Sequence, residues 1–369
     1  MEFFATAARG TENVLTEELT ELGFEGVVHV RGGVAFSGPD SEGWRACLES
    51  RIAQRIQTPV ARFACRTPEE LYEGALAVDW TEWLTPKKTL AVSAFCMDSE
   101  ITHTNFAALK VKDAVVDQIR GKLGDRPSVS RDDADVQIFL HLSSNRATLY
   151  LDLAGVPLFK RGYRGGTGEA PLKETLAAAM LRIACWDRKQ PLIDPMCGSG
   201  TIAIEAALWA ANIAPGLFRK QFGFERWADF DAMRISRLAR LRGELRGRAH
   251  GQTPRITASD SDPVMLELAR ANARNAGVKL AFRQAAVQEL REFSPPVILV
   301  TNPPYGERLE ADQKFFNELG GALCRLHGSL VCVLAGTPDI PKSIPPRPAA
   351  SFPLWNGDIE CRFLVYEMK

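Results

Sequence analysis

The chain has 369 residues and 46% hydrophobic content, enough for two domains or more, each with its own core. Its 45 Lys and Arg balance 45 Asp and Glu, which excludes a global basic field, so nucleic acid would have to be met by local patches. Eight cysteines form no Cys-x-x-Cys pair and five histidines do not cluster with them, which argues against structural zinc or any other metal and for reduced thiols; with no run resembling a signal peptide or membrane span, a cytoplasmic location is expected.

In chain order, a strand-like opening leads into an amphipathic helix over 11–22. A strand over 26–31 and a helix around 44–56 complete an α+β unit over 1–58. A second αβ unit over 59–155 contains the strands Leu90–Phe95 and Gln137–Leu142. Lys110 and Lys112 stand on an expected helix there and are candidates for RNA contact, a solvated helix face being the alternative. His103 and His141 read as packing or hydrogen-bonding residues. Residues 156–170, with glycines at 162, 165, 166 and 168, read as a linker. Just ahead of those glycines, Lys160, Arg161, Tyr163 and Arg164 place cations around an aromatic ring, which suits phosphate contact with base stacking as well as it suits a charged linker. A helix over 234–248 carries an apolar stripe at Ile235, Leu238, Leu241 and Leu245 among arginines.

From residue 171 to 369 strands and helices alternate, which predicts a mostly parallel, doubly wound seven-stranded sheet. Pro191-Leu192-Ile193 reads as a buried strand and Thr201 opens a helix; between them lies Asp194-Pro195-Met196-Cys197-Gly198-Ser199-Gly200. The two glycines let a ligand approach the backbone, and the helix start offers free N–H groups. With only Gly-x-Gly, and Asp-Pro ahead of it, the turn fits S-adenosylmethionine better than a dinucleotide. Asp194, Pro195, Cys197, Gly198, Ser199, Gly200 and Thr201 are therefore candidate cofactor residues. A second strand ends at Asp260-Ser261, where a carboxylate can accept ribose hydroxyls; Asp262, before Pro263, reads as a helix cap. A third strand ends near Ala286, beside the expected adenine position, and a fourth runs through Val300-Thr301 into Asn302-Pro303-Pro304-Tyr305. An exocyclic amine is a poor nucleophile because its lone pair is delocalised into the ring. The Asn302 oxygen and Pro303 carbonyl can hold both of its N–H bonds and turn the lone pair outward, while the prolines stiffen the loop and Tyr305 can stack on the base.

These motifs, together with Phe3–Glu12, Thr104–Ala114, Ala147–Asp152, Lys160–Arg164 and Ala170–Ala178, resemble the THUMP-domain class I methyltransferases, most closely the bacterial 23S rRNA guanine-N2 methyltransferases. The resemblance implies a ferredoxin-like region over 1–58, an RNA-binding THUMP domain over 59–155, a linker over 156–170 and a Rossmann-like methyltransferase domain over 171–369. It also implies that Pro171, Leu172 and Glu174 pack beside the cofactor, and that the substrate is the N2 amino group of a guanine in ribosomal RNA. Some relatives continue into a second methyltransferase domain, so one activity rather than two is expected here. Members often carry an acid where Ala286 stands, so adenine recognition is expected to rest on backbone groups or Gln284. The alternatives are a transfer-RNA guanine-N2 methyltransferase, a DNA adenine-N6 methyltransferase, or an inactive RNA-binding assembly factor. Against the last stands the intact Asn302–Tyr305 run.

Overall fold

The computed structural model describes residues 1–130, 133–165, 172–291, 293, 296–304 and 313–369, and for Gln313 the backbone alone. The chain opens with β1 (Glu2–Thr6), α1 (Glu12–Glu21), β2 (Glu25–Val30), β3 (Gly33–Ser37), α2 (Asp40–Glu49) and β4 (Arg55–Ala64). It continues with α3 (Pro68–Leu76), β5 (Thr89–Met97), α4 (Thr104–Leu123), β6 (Ser128–Val129), β7 (Val136–Ser143) and β8 (Arg146–Asp152). Local chemistry explains several boundaries. The Thr67 hydroxyl accepts from the Glu70 amide at 3.2 Å, and Glu70 reaches back to the Thr67 amide, a reciprocal cap with Pro68 behind it that starts α3. Gly124, at φ +81°, ends α4. Ser144 and Asn145 both take positive φ, the condition for the two-residue hairpin joining β7 to β8.

The eight strands make one sheet in the order β2-β3-β1-β4-β8-β7-β5-β6. Strand β4 pairs with β1 on one side and β8 on the other, so the expected boundary at 58/59 falls inside a strand and both units share the sheet. The helix expected around 44–56 is corrected: α2 stops at Glu49 and Ile56 lies in β4. The buried Glu18 carboxylate accepts from the Arg51 amide at 2.9 Å, the Ile52 amide at 3.2 Å and the Ser50 hydroxyl at 2.7 Å, and those bonds replace a further helical turn.

The second half contains α5 (Glu174–Ile183), β9 (Leu192–Asp194), α6 (Thr201–Ala210), α7 (Ala232–Gly247), β10 (Ile256–Asp260), α8 (Pro263–Asn275), β11 (Ala281–Gln284) and β12 (Ile298–Thr301), then α9 (Gln313–Cys324), β13 (Leu330–Ala335), α10 (Asp339–Ser343), β14 (Ala350–Asn356) and β15 (Ile359–Glu367). Its sheet runs β11-β10-β9-β12-β13-β15-β14, parallel except where β15 pairs antiparallel with β13 and β14. Strand order reverses at β9, between β10 and β12, and a doubly wound sheet binds ligands beyond the carboxyl ends of strands at such a point.

A buried polar cluster locks the two halves together. The Arg51 guanidinium donates to the Ile213 carbonyl at 2.7 Å, and burial lowers its pKa to about 10. Arg161 donates to the Arg51 and Leu158 carbonyls and lies 3.6 Å from the Glu205 carboxylate; Tyr163 donates to that carboxylate at 3.1 Å. The expectation of a linker over 156–170 is thus corrected at Arg161 and Tyr163, which are core, while Gly162 between them is exposed; residues 166–170 lie outside the described residues. Among the described residues no helix is long and apolar enough to cross a membrane, and no three metal-ligating side chains converge.

Candidate functional site

At the reversal point the ends of β9, β10 and β12 surround a cavity of about 620 Å³. Pro195, Met196 and Gly198 line it from the first loop, Asp260, Ser261 and Asp262 from the second, and Asn302, Pro303 and Pro304 from the fourth strand's end. Three stretches spread over about a hundred residues thus meet, because β12 pairs with β9 at Ile298–Leu192 and Leu299–Ile193 while β10 flanks β9 on its other side.

The two loop glycines do different work. Gly198, at φ +50°, has nothing within 4 Å of where a Cβ would stand, so its bare face looks into open space. Gly200, at φ +86°, backs onto α8, where a Cβ would lie 3.0 Å from the Ala269 Cβ. Gly200 thus sets the helix start and its packing, and Gly198 leaves room for a ligand. Asn272 of α8, fully buried, donates to the Ser199 carbonyl at 3.0 Å and pins the loop. A polar residue on the buried face of α8 is the sequence signal for that role.

Asp260 braces the site. Its carboxylate accepts from the Gly198 amide at 2.8 Å and the Asp262 amide at 3.0 Å, one bond per oxygen, which leaves lone pairs facing the cavity. Asp262 caps α8 through the Val264 amide at 2.8 Å, and it also lines the cavity. Asp194 lies beneath. It is almost completely buried, accepts from the Thr301 hydroxyl at 3.2 Å, and burial pushes its pKa up to about 8. That bond joins the end of the first strand to the end of the fourth. Cys197 is buried with its thiol pKa raised by burial, so it is an inert packing group.

Asn302 is the most informative side chain. Its amide oxygen is buried beside the cavity and has no hydrogen-bond partner among the described residues. A buried acceptor without a donor costs about 1–3 kcal/mol, so it marks a place where a donor from outside completes the bond. Tyr305 and Pro171 lie outside the described residues.

Beyond the end of β11, Ala286, Val287 and Gln288 line the cavity, whereas Gln284 points back to the Ser261 carbonyl at 3.4 Å. Gln288, held by donating to Glu318 at 2.6 Å, and Met265, in the first turn of α8, are cavity residues that the motifs did not reveal. Leu172, Glu174, Ser199, Gly200 and Thr201 stand behind the wall. Arg164 ties three of them together, pairing with Glu174 at 2.9 Å and donating to the Leu172 carbonyl at 2.7 Å and to the Thr201 hydroxyl. Burial raises the Glu174 pKa to about 7 against the pull of Arg164.

The basic cluster expected to meet RNA is corrected. Arg161 and Tyr163 are 2% and 1% exposed and Arg164, only partly exposed, is spent on Glu174; of the four, Lys160 alone is exposed. Lys112 pairs with Asp113 at 2.7 Å, and Lys110 lies over the Tyr72 ring. His103 accepts from the Phe106 amide and caps α4, and His141 stacks on Phe95.

Residues 161–364 match the methyltransferase domain described as RMKL-like, residues 65–152 a THUMP domain, and residues 2–57 the RlmL ferredoxin-like domain. The chain belongs to the RMKL-like THUMP methyltransferase family. Its relatives in this family include the ribosomal RNA large subunit methyltransferase K/L of Syntrophotalea carbinolica, 41% identical over the whole chain and 54% of that protein. Another is slr0064 of Synechocystis sp., named a candidate RNA methyltransferase, 37% identical over 99% of this chain and 96% of that one. The chain spans about half the length of the curated K/L relatives it matches. Among solved structures, SMU.472, crystallised with SAH, superposes with a TM-score of 0.87 at 31% identity, covering 100% of this chain and 98% of that one. The second-half sheet is accordingly a class I methyltransferase domain, preceded by a THUMP region.

Proposed function

We propose that this chain transfers a methyl group from S-adenosylmethionine to the exocyclic N2 of a guanine in 23S ribosomal RNA. The carrying observation is the buried, unpartnered oxygen of Asn302 in the same cavity as the open face of Gly198 and the carboxylate of Asp260. Those residues fit the cofactor: Gly198 leaves a Cβ-sized space, and Asp260 keeps free lone pairs at a strand's end. Ser261 and the Ala286–Gln288 turn supply the adenine side, with Gln288 taking the part that Ala286 lacks a side chain for. Asp194, Gly200 and Thr201 act by shaping the loop, and Pro195, Cys197 and Ser199 complete it.

When bound, the cofactor supplies a methyl carbon made electrophilic by its sulfonium. The chain's own part is orientation. The Asn302 oxygen and the Pro303 carbonyl accept the two N–H bonds of the amine, which turns its lone pair away from the ring and toward the methyl group. An amide takes no proton at neutral pH, so the extra proton leaves to water after the new N–C bond forms. Pro303 and Pro304 hold the acceptors in place, and Tyr305 is proposed to stack on the base. The target must leave its stack, which RNA loops permit at lower cost than duplexes. The THUMP region, with Lys110 and Lys112, and the exposed Lys160 are proposed RNA contacts, and the cytoplasm is the location that suits such a substrate.

The test is methyl transfer from labelled S-adenosylmethionine to unmodified ribosomal RNA, transfer RNA and DNA, followed by nucleoside analysis. N2-methylguanosine from ribosomal RNA is the expected product. Label in transfer RNA or DNA alone, or cofactor binding absent altogether, would overturn the proposal.

A further inference from the structure

Among the described residues no further layer covers the face of the eight-stranded sheet opposite its helices, and that face is built unlike an ordinary solvent face. Along β7, Val136, Ile138, Leu140 and Leu142 are buried against α3 and α4, so Phe139, His141 and Ser143 must point the other way. Polar residues usually occupy that side of a half-covered sheet. Here a row of rings crosses it: Phe4 of β1, Tyr150 of β8, Phe139 and His141 of β7, and Phe95 of β5. Ring centroids lie 6.1 Å apart for Phe4 and Tyr150, 6.4 Å for Tyr150 and Phe139, and 5.6 Å for the stacked Phe95 and His141. Phe95 is 45% exposed, a large apolar group left in water. The rings floor a concavity of about 820 Å³.

Arg31 and Arg62 stand on its rim, with Glu2 as the one carboxylate; Glu2 pairs with Arg62, and Arg31 forms no ion pair among the described residues. Burial and the nearby Arg31 lower the His141 pKa, so its ring is neutral at pH 7 and stacks as an aromatic. Flat π-faces at strand spacing, bordered by guanidinium groups, match what a single-stranded nucleic acid offers: bases to stack and phosphates to neutralise. A duplex buries its base faces and cannot use them.

We infer that this open face is a stacking platform for an unpaired segment of the RNA substrate, with Phe95, Phe139 and Tyr150 receiving bases and Arg31 and Arg62 meeting phosphates. The inference rests on the proposed RNA methyltransferase activity and adds a surface separate from the cofactor cavity. It is tested on the full chain with a short fluorescein-labelled single-stranded RNA and a duplex of the same length, by fluorescence anisotropy. Phe95→Ala and Phe139→Ala are each expected to weaken single-strand binding roughly five- to a hundredfold, while leaving S-adenosylmethionine affinity and the melting temperature near those of the parent. Phe95→Trp should bind like the parent, which a loss through misfolding would not reproduce. Parent-like affinity of both alanine variants, or a parent that prefers the duplex, overturns the platform even if ribosomal RNA is methylated. Aromatic-dependent binding with no RNA methylated supports the platform and removes the catalytic reading instead.

Discussion

Replacing Asn302 with alanine should slow the enzyme and leave the protein as stable as before or more so. The amide oxygen is buried with no donor, so the folded protein carries a desolvation penalty of about 1–3 kcal/mol that alanine removes. Lost packing of a half-buried side chain offsets part of this, leaving a net change between zero and about 1 kcal/mol of stabilisation, or up to about 2 °C in Tm for a chain of this size. In the proposed reaction the same atom would hold a substrate N–H where charge develops, and removal of one preorganised partner of that kind lowers kcat by about a hundred- to a thousandfold. Cofactor affinity should stay near the parent value, since Gly198 and Asp260 are untouched. Asn302→Asp keeps an acceptor at the cost of a buried charge and should fall between the two. Calorimetry, cofactor titration and single-turnover methyl transfer measure the three quantities on the same samples. An unchanged kcat would refute the assigned role; a Tm several degrees below the parent would show that the oxygen has a partner within the fold.

Other expectations follow from the same geometry. Gly200→Val forces a β-branched residue to φ +86° against Ala269, which should cost about 2–4 kcal/mol and be visible as a lower Tm even without cofactor, whereas Gly198→Ala should mainly weaken cofactor binding by titration calorimetry. Burial raises Asp194 from 3.8 to about 8, so the folded state holds its proton more tightly than the unfolded state; the stability this contributes is complete below pH about 4 and is lost as pH rises through about 8. Asp194→Asn should therefore lose less Tm than the parent over that rise, and an identical slope in thermal scans would count against a protonated Asp194. Glu205→Ala leaves the buried Arg161 without its carboxylate neighbour and Tyr163 without its acceptor and should destabilise by about 3–5 kcal/mol, read from denaturant melts.

Much of the second half was legible because its strands are short apolar runs that end in residues with one chemical use. Asp194 and Asp260 each close a strand and Asn302 directly follows one, and parallel pairing with β9 brings all three strand ends to one rim. What stayed hidden depends on contacts between distant segments. Arg161, Tyr163 and Arg164 have the composition of a nucleic-acid patch, and only the carboxylates of Glu174, ten residues further on, and Glu205, about forty further on, reveal that they are spent within the fold. The stop of α2 at Glu49 is set by Glu18, some thirty residues earlier. Gln288 and Met265 line the cavity from positions with no motif, and the row of rings on the first sheet is spread over four strands, so no single stretch of sequence displays it.

The shared sheet through β4 and the buried Arg51–Arg161–Glu205 cluster have a mechanical meaning. The sheet makes the first half one body and the cluster fixes it to the half that holds the cavity, so under the proposed platform the interval between them would work like the fixed jaws of a caliper. Selection of one nucleotide among thousands would then be a matter of span: a strand gripped at one end presents the base lying a set distance along it.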